Sequence, residues 1–236
     1  MMDNRLKQIR QAEKESHIKT YRENKLYENS GWLSKPIRTV LDILTLFEGY
    51  KELRILDLGA GVGRNCIPFA VKYHDVVCKI DCVDILDEAI QILNDYAGVY
   101  HVESSICGIV SSIEDYNIPS NQYDLIMAIS ALEHVDSKET FQEKLMEIRK
   151  GIRKNGIVCL VINSNVTEKD RATGEMLLPQ FEVNPATGEL RSQIRDLFAD
   201  WQELKSTVGQ QKYDIPRDNR MVELTSDVVT YVARNI

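Results

Sequence analysis

Three glycines at alternate positions follow a short apolar segment, in the sequence ILDLGAGVGR from Ile55 to Arg64. Glycines directly after a strand let the backbone turn sharply, and they let a ligand lie where a Cβ atom would intrude. The helix expected next would present free backbone N–H groups and the positive end of its dipole to an anionic group. Asp84 ends the next apolar segment, where a carboxylate can accept hydrogen bonds from both hydroxyls of a ribose. The pattern predicts a site for a nucleoside-bearing ligand.

The spacing inside this loop distinguishes between cofactors. A dinucleotide fingerprint has its last glycine where this chain has Arg64, and a Walker loop needs a lysine that is absent here. Asp57 precedes the glycines, where a carboxylate would repel a pyrophosphate but engage an ammonium, directly or through water. Bracing of the loop through backbone N–H groups is an equal alternative for Asp57. A ligand with an amine, a carboxylate and a ribose is expected, and S-adenosylmethionine has all three.

Apolar segments alternate with amphipathic ones, and this alternation indicates how the loop is positioned. Strands are predicted at residues 53–58, 76–84, 106–111, 123–130 and 157–163, and helices at 64–73, 87–97 and 136–153. Asp136 and Glu139 resemble a capping box that opens the last of these helices. Strands that are apolar on both faces indicate a parallel sheet covered by helices on both sides. The predicted fold class is α/β: a Rossmann-like, doubly wound, mostly parallel seven-stranded sheet with a C-terminal antiparallel hairpin.

The predicted organisation is a single domain over residues 1–236. It comprises an N-terminal helical cover at 1–50, a cofactor-binding core at 51–163, a lid loop at 164–188, and a C-terminal helix and hairpin at 189–236. The turn-forming sequence PRDN at 216–219 is expected to join the two strands of the hairpin. Tyr21, Tyr27 and Trp32 in the cover either anchor it to the body or attract a positively charged sulfur through cation–π contacts.

These motifs resemble the class I S-adenosylmethionine-dependent methyltransferases. The sequence DLGAGVG at 57–63, Asp84, and YDLIMAISALEHV at 123–135 occur in that family's order over about residues 53–163, and the sequence GRN at 63–65 is weakly similar to the tellurite-resistance members. The resemblance implies methyl transfer from S-adenosylmethionine to a small acceptor, which yields S-adenosylhomocysteine. It also implies that a set of residues binds the cofactor: Asp57, Gly59, Ala60, Gly61, Arg64, Asp84, Ile85, Ser112, Ile113, Glu114 and Ser130.

Within this implied set, Gly59 and Gly61 line the methionine part of the cofactor and Asp84 binds the ribose. Ile113 would stack near the adenine. Ser112 stands where many relatives have an acidic residue for the adenine amino group. Ser112, Glu114 or water would take that contact here.

The candidate catalytic residues are Glu133 and His134, which follow the fourth strand at the carboxyl edge of the sheet. They are the titratable side chains nearest to the expected methyl group. His134 is a candidate base, with a hydrogen-bonded structural role as the alternative. The histidines and cysteines lack the spacing of a metal site, so no metal is predicted.

The composition narrows the choice of partners. The 29 basic and 36 acidic residues give a net charge of −7, which disfavours binding of long nucleic acid. The apolar runs are shorter than the ~20 residues of a membrane span. Five cysteines, mostly in strand-like segments, are typical of free thiols in a reducing compartment, and we expect the cytoplasm. A small-molecule acceptor is expected, with a metalloid oxyanion, a protein terminus and a non-catalytic cofactor-binding module as alternatives.

Overall fold

The computed structural model describes residues 4–28, 31–217 and 220–236. The helices are α1 (Asn4–Glu23), α2 (Arg38–Ile43), α3 (Ile67–Lys72), α4 (Asp87–Val99), α5 (Lys138–Gly151) and α6 (Thr187–Leu197). The strands are β1 (Glu52–Leu58), β2 (Val77–Asp84), β3 (Ile106–Val110), β4 (Tyr123–Ile129), β5 (Ile152–Asp170), β6 (Met176–Leu177), β7 (Gln202–Arg217) and β8 (Arg220–Arg234). Short 3-10 turns lie at Trp32–Ser34, Leu44–Phe47 and Leu132–His134.

The strands form one sheet in the order β3-β2-β1-β4-β5-β8-β7, with β6 paired to the outer half of β5. The first five strands run parallel to one another, β8 pairs antiparallel with β5, and β7 pairs antiparallel with β8. The doubly wound fold and the C-terminal hairpin are therefore confirmed. The strand order reverses between β1 and β4, and this reversal opens a crevice at the carboxyl ends of these strands.

Both faces of the sheet are covered, because side chains of a strand point alternately to its two sides. In β1, Leu53 and Ile55 join the buried cluster that packs against α3 and α4, while Leu56 and Leu58 join the cluster on the α5 and α6 side. All seven residues of the central strand β4 are buried. This double burial explains why the central strands read as almost continuous apolar runs.

The prediction of a lid loop at residues 164–188 is wrong for most of its length. β5 continues to Asp170, because its second half pairs with β8 from Thr167 opposite Thr225 to Asp170 opposite Val222. Residues 165–170 alternate between exposed and buried positions, as expected for a strand whose one face meets solvent. Met176–Leu177 adds an eighth, two-residue strand, so the prediction of seven strands is one short. Only residues 178–186 remain as an extended connection to α6.

Several predicted boundaries also shift. The helix after β4 is capped by Ser137 rather than Asp136, since the Ser137 hydroxyl accepts a hydrogen bond from the Thr140 N–H at 3.1 Å. The helix after the glycine loop begins at Ile67 and not at Arg64. The hairpin turn was predicted at 216–219. Residues 216–217 belong to β7, and 218–219 lie outside the described residues. Among the residues the structure describes, no helix has the length and apolar character that crossing a membrane requires.

Candidate active site

A cavity of about 500 Å³ lies at the carboxyl edge of the sheet, where the strand order reverses. The loops after β1, β2, β3 and β4 form its floor and walls, and α1 lies across it as a cover. Eight of the residues predicted from the sequence line this cavity: Gly59, Asp84, Ile85, Ser112, Ile113, Glu114, Ser130 and His134. The topology therefore brings together side chains that are far apart in the chain.

The glycine loop is fixed to the neighbouring strand by its backbone. The N–H groups of Gly59 and Ala60 both donate to the Val83 carbonyl, at 2.8 and 3.0 Å. A Cβ atom on Gly59 would lie 2.5 Å from the Ala131 Cβ, so glycine allows the loop to approach the segment after β4. Gly61 has a φ of +53°, and a Cβ there would lie 2.9 Å from the Tyr21 hydroxyl. Gly61 and the buried Ala60 thus contact the protein itself and do not line the cavity.

Asp84 connects the glycine loop to the start of α4. Its Oδ2 atom accepts a hydrogen bond from the Gly61 N–H at 2.8 Å, and its Oδ1 atom accepts one from the Leu86 N–H at 2.9 Å. Burial raises the pKa of the Asp84 carboxyl. Each carboxylate oxygen has a further lone pair, so the fixed carboxylate can still accept hydrogen bonds from two vicinal hydroxyls.

The wall after β3 combines apolar and polar groups. Ile113 and the half-exposed Ile85 provide apolar surface. The Ser112 hydroxyl donates to Asp115 Oδ2 at 2.7 Å, and Glu114 receives the guanidinium of Arg10 at 2.5 Å. Both residues proposed for the adenine amino group therefore line the cavity, and both are already engaged with protein groups.

Asp57 and Arg64 lie outside the cavity. Asp57 is buried beneath the loop next to Cys66. Burial raises the pKa of Asp57 to about 7, and within the described residues its Oδ2 atom has no hydrogen-bond partner. Arg64 turns outward, with its guanidinium 5.1 Å from the centre of the Trp32 ring and donating to the Trp32 carbonyl. The structure therefore gives neither of them a direct contact with a ligand in the cavity.

His134 contacts two carboxylates. Its Nδ1 atom lies 2.9 Å from Glu13 Oε2 on α1 and 2.9 Å from Glu182 Oε2 in the 178–186 connection. Burial alone would lower the pKa of this imidazole, but the two carboxylates outweigh that effect and hold the pKa of His134 well above its usual value. The two carboxylates therefore favour the imidazolium form of His134, and loss of its proton would create a base stronger than an ordinary imidazole.

Glu133 points elsewhere, although it precedes His134 in the chain. Its carboxylate is fully buried and accepts hydrogen bonds from the Asn163 backbone N–H at 3.0 Å and from the Asn163 side-chain amide at 2.6 Å. Burial raises the pKa of Glu133. Glu133 fixes the end of β4 to β5 and does not line the cavity, in contrast to the catalytic position expected from the sequence.

The sequence analysis singled out Tyr21 but missed the other residues on its face of α1 and the connection before α6. Arg10, Glu13, His17 and Tyr21 recur at intervals of three or four residues, which places them on one face of the helix above the cavity. This spacing was the available signal, but the stripe is polar and not apolar. Of the three aromatics, Tyr21 both anchors α1 and lines the cavity, whereas the Tyr27 hydroxyl donates to the Arg64 carbonyl at 2.7 Å and acts as an anchor.

The residues around the cavity fit S-adenosylmethionine. Asp84 offers a fixed carboxylate to the ribose hydroxyls, and Ile85 and Ile113 offer apolar surface to the adenine. The ring of Tyr21 lies beside the glycine loop, where it can contact a positively charged sulfur. These residues thus match the ribose, the adenine and the positively charged sulfur of this cofactor.

Comparison with known proteins agrees with this geometry. Residues 55–156 match the family described as a methyltransferase domain. Ajmaline N-methyltransferase from Rauvolfia serpentina is 31% identical over 98 residues, which make up 42% of this chain and 33% of that protein. Residues 55–156, somewhat less than half of the chain, are thus similar to a methyltransferase domain. The match spans only about a third of the length of this curated relative.

Two solved structures have a fold similar to that of this chain. TehB from Haemophilus influenzae has a TM-score of 0.63 at 18% identity, with 84% of this chain and 62% of that chain covered. The 1,6-didemethyltoxoflavin-N1-methyltransferase of Burkholderia thailandensis has a TM-score of 0.58 at 14% identity, with 94% and 86% covered, and its structure contains S-adenosylhomocysteine. S-adenosylhomocysteine is the demethylated form of S-adenosylmethionine, the cofactor that the glycine loop and Asp84 of this chain predict.

Proposed function

We propose that the protein transfers a methyl group from S-adenosylmethionine to a nitrogen or oxygen atom of a small molecule and releases S-adenosylhomocysteine. The observation that carries this proposal is the meeting of Asp84, Ile113 and His134 in one cavity beneath α1. A covered cavity of about 500 Å³ favours a cofactor together with a compact acceptor. The similar proteins named as N-methyltransferases favour a nitrogen acceptor.

The chain's own contribution is mainly to position the reactants. S-adenosylmethionine supplies, when bound, a methyl group on a positively charged sulfur that is already activated for displacement. Asp84 and the wall at 112–114 would hold the nucleoside, and α1 covers part of the cavity and so limits its exposure to water. Alignment of two reactants in this way can provide effective molarities of ~10⁵ M or more. Positioning and desolvation therefore account for much of the expected acceleration.

The second contribution is removal of a proton. As the acceptor lone pair bonds to the methyl carbon, the sulfur–carbon electron pair passes to sulfur and the acceptor's proton passes to deprotonated His134. Nδ1 of His134 is held by the two carboxylates, which leaves Nε2 as the nitrogen for this transfer. An acceptor N–H or O–H needs such a base, whereas a thiolate does not.

Product formation tests the proposal. The full chain is incubated with S-adenosylmethionine and separate panels of small amines, phenols and peptides with a free N-terminus, and S-adenosylhomocysteine is measured by mass spectrometry. Product with small amines or phenols is the expected result. Tight binding of S-adenosylhomocysteine without turnover of any acceptor would identify a non-catalytic binding module. Turnover of peptides alone would identify a protein-terminus methyltransferase.

A further inference from the structure

The carboxylates that contact His134 come from two elements outside the cofactor-binding core. Glu13 lies in the middle of α1, and Glu182 lies in the connection between β6 and α6. The Glu182 side chain is only 1% exposed, and the side chain of Glu13 is 18% exposed. Both elements border the cavity, so His134 is held between two parts of its cover.

The geometry restricts the imidazole. An imidazole ring has two nitrogens, and the carboxylates of Glu13 and Glu182 both approach Nδ1 at 2.9 Å. Two acceptors on this nitrogen require it to carry the hydrogen, which fixes the neutral ring as the tautomer protonated at Nδ1. Nε2 then has the lone pair. The Phe181 ring, with its centre 5.4 Å from that of His134, limits rotation of the imidazole further.

We propose that Glu13 and Glu182 are positioning residues that hold His134 as the proton acceptor, so that this base is complete only when α1 is docked over the cofactor. This inference rests on the proposed function. The docking of α1 depends largely on charged contacts with the body. Arg22 lies 2.7 Å from Glu88 of α4, and Arg10 lies 2.5 Å from Glu114 after β3. The two buried side chains of α1, Ile9 and Tyr21, add a narrow apolar contact.

The charged surroundings of His134 support a base stronger than an ordinary histidine. Besides Glu13 and Glu182, the titratable and charged groups that influence this cluster are Arg10 and His17 of α1, Glu133 in its own turn, and Arg217 of β7. Burial lowers the pKa of His17, which leaves that neighbour neutral at physiological pH. The two close carboxylates dominate, and they raise the pKa of His134.

Glu13→Gln and Glu182→Gln test the proposal, because each removes one negative charge and keeps the size of the side chain. Glu15→Gln and Glu175→Gln are the matched controls. Glu15 lies on α1, as Glu13 does, and Glu175 lies just before β6 in the segment that leads to Glu182; both side chains are exposed and do not contact His134. The His134 ring is followed by NMR during a pH titration of the full chain bound to S-adenosylhomocysteine, with the signal assigned from His134→Gln. Removal of either close carboxylate is expected to lower the measured pKa by about 1–3 units.

A pH–rate profile adds a readout that simple structural damage would not reproduce. Deprotonated His134 is the active form, so kcat/KM rises with pH through its pKa and then reaches a plateau. A variant with a lower pKa reaches the plateau at lower pH, but its weaker base gives a lower plateau. For a Brønsted coefficient of about one half, a shift of one unit lowers the plateau about threefold and raises the rate on the acid limb about threefold. The profiles of wild type and variant therefore cross.

The outcomes separate this inference from the proposed function. An unchanged His134 titration in both variants, or an equal loss of rate at all pH values, would overturn the positioning role whatever the activity of the wild type. A lowered His134 pKa with crossing profiles supports it. If the variants lower the pKa of His134 but the wild type methylates no acceptor, the carboxylates do set the pKa of this imidazole, and it is the proposed function that is overturned.

Discussion

Asp84 holds the glycine loop as well as the expected ribose site, so its replacement should have two separable effects. In Asp84→Ala the N–H groups of Gly61 and Leu86 lose their acceptors. A fully buried unsatisfied N–H costs ~1–3 kcal/mol, and these two N–H groups are only partly buried, so the free energy of unfolding without ligand is expected to fall by ~1–3 kcal/mol in total. Loss of two hydrogen bonds from ribose hydroxyls to a carboxylate removes a further ~2–4 kcal/mol from cofactor binding, or roughly 30- to 1,000-fold in Kd.

Asp84→Asn distinguishes the two roles. An amide has one oxygen, so its NH₂ group must face one of the two N–H donors, and stability without ligand is expected to fall as in Asp84→Ala. One acceptor remains for the ribose, and the loss of affinity should be smaller. Thermal unfolding without ligand and calorimetry with S-adenosylhomocysteine measure the two effects, with the exposed Asp87→Ala as the control. Wild-type affinity in Asp84→Ala would refute the ribose assignment, and an unchanged Tm would refute the role in the loop.

Two further substitutions probe the glycine loop, and one deletion probes the turn after β5. Because the folded pKa of Asp57 is about 7 against 3.8 for a free carboxyl, its protonated form stabilises the protein at acid pH. The free energy of unfolding of the wild type should fall by ~1.4 kcal/mol for each pH unit between about 4 and 7. Urea titrations at several pH values should show a weaker dependence of this free energy on pH in Asp57→Asn. Gly61→Val places a β-branched residue at a φ of +53° against the Tyr21 hydroxyl, so its Tm should fall and calorimetry should show weaker S-adenosylhomocysteine binding. Wild-type affinity there would contradict the contact with α1. Deletion of residues 172–174 shortens a turn that does not line the cavity, so S-adenosylhomocysteine formation should stay near the wild-type rate; a large fall in kcat would restore the lid hypothesis.

The sheet and the glycine loop were predictable because their signals are local. β1 and β4 are buried on both faces over most of their length and therefore appear as mostly apolar runs, and the residues that end them must meet at one edge of a parallel sheet. Asp84 follows from the same logic. The outer half of β5 escaped prediction because its exposed face carries Asn165, Thr167 and Lys169, and a polar composition reads as a loop when the pairing strand is unknown.

The position of α1 and the different roles of Glu133 and His134 depend on polar contacts, which leave no apolar pattern in the sequence. Glu13 and His134 come from distant parts of the chain, and a salt bridge between them has no apolar signature. Residues 132–134 form a 3-10 turn, in which successive side chains point about 120° apart. Glu133 consequently turns inward to Asn163 while its neighbour faces the cavity. The sequence predicts where this turn lies, but not which of its side chains faces the cavity.

The position of α1 across the cavity has a consequence for the timing of the catalytic cycle. The helix covers a ligand that lies beneath it, so we expect stronger attachment of the helix to lengthen the time for which product stays bound. The Arg22 side chain in the pair with Glu88 is 68% exposed, and dissolved salt screens such a pair far more than a buried one. Product departure is therefore expected to quicken with ionic strength, while the methyl transfer inside the covered cavity remains insensitive to it. We therefore expect any limit that release of S-adenosylhomocysteine sets on turnover to be strongest at low salt.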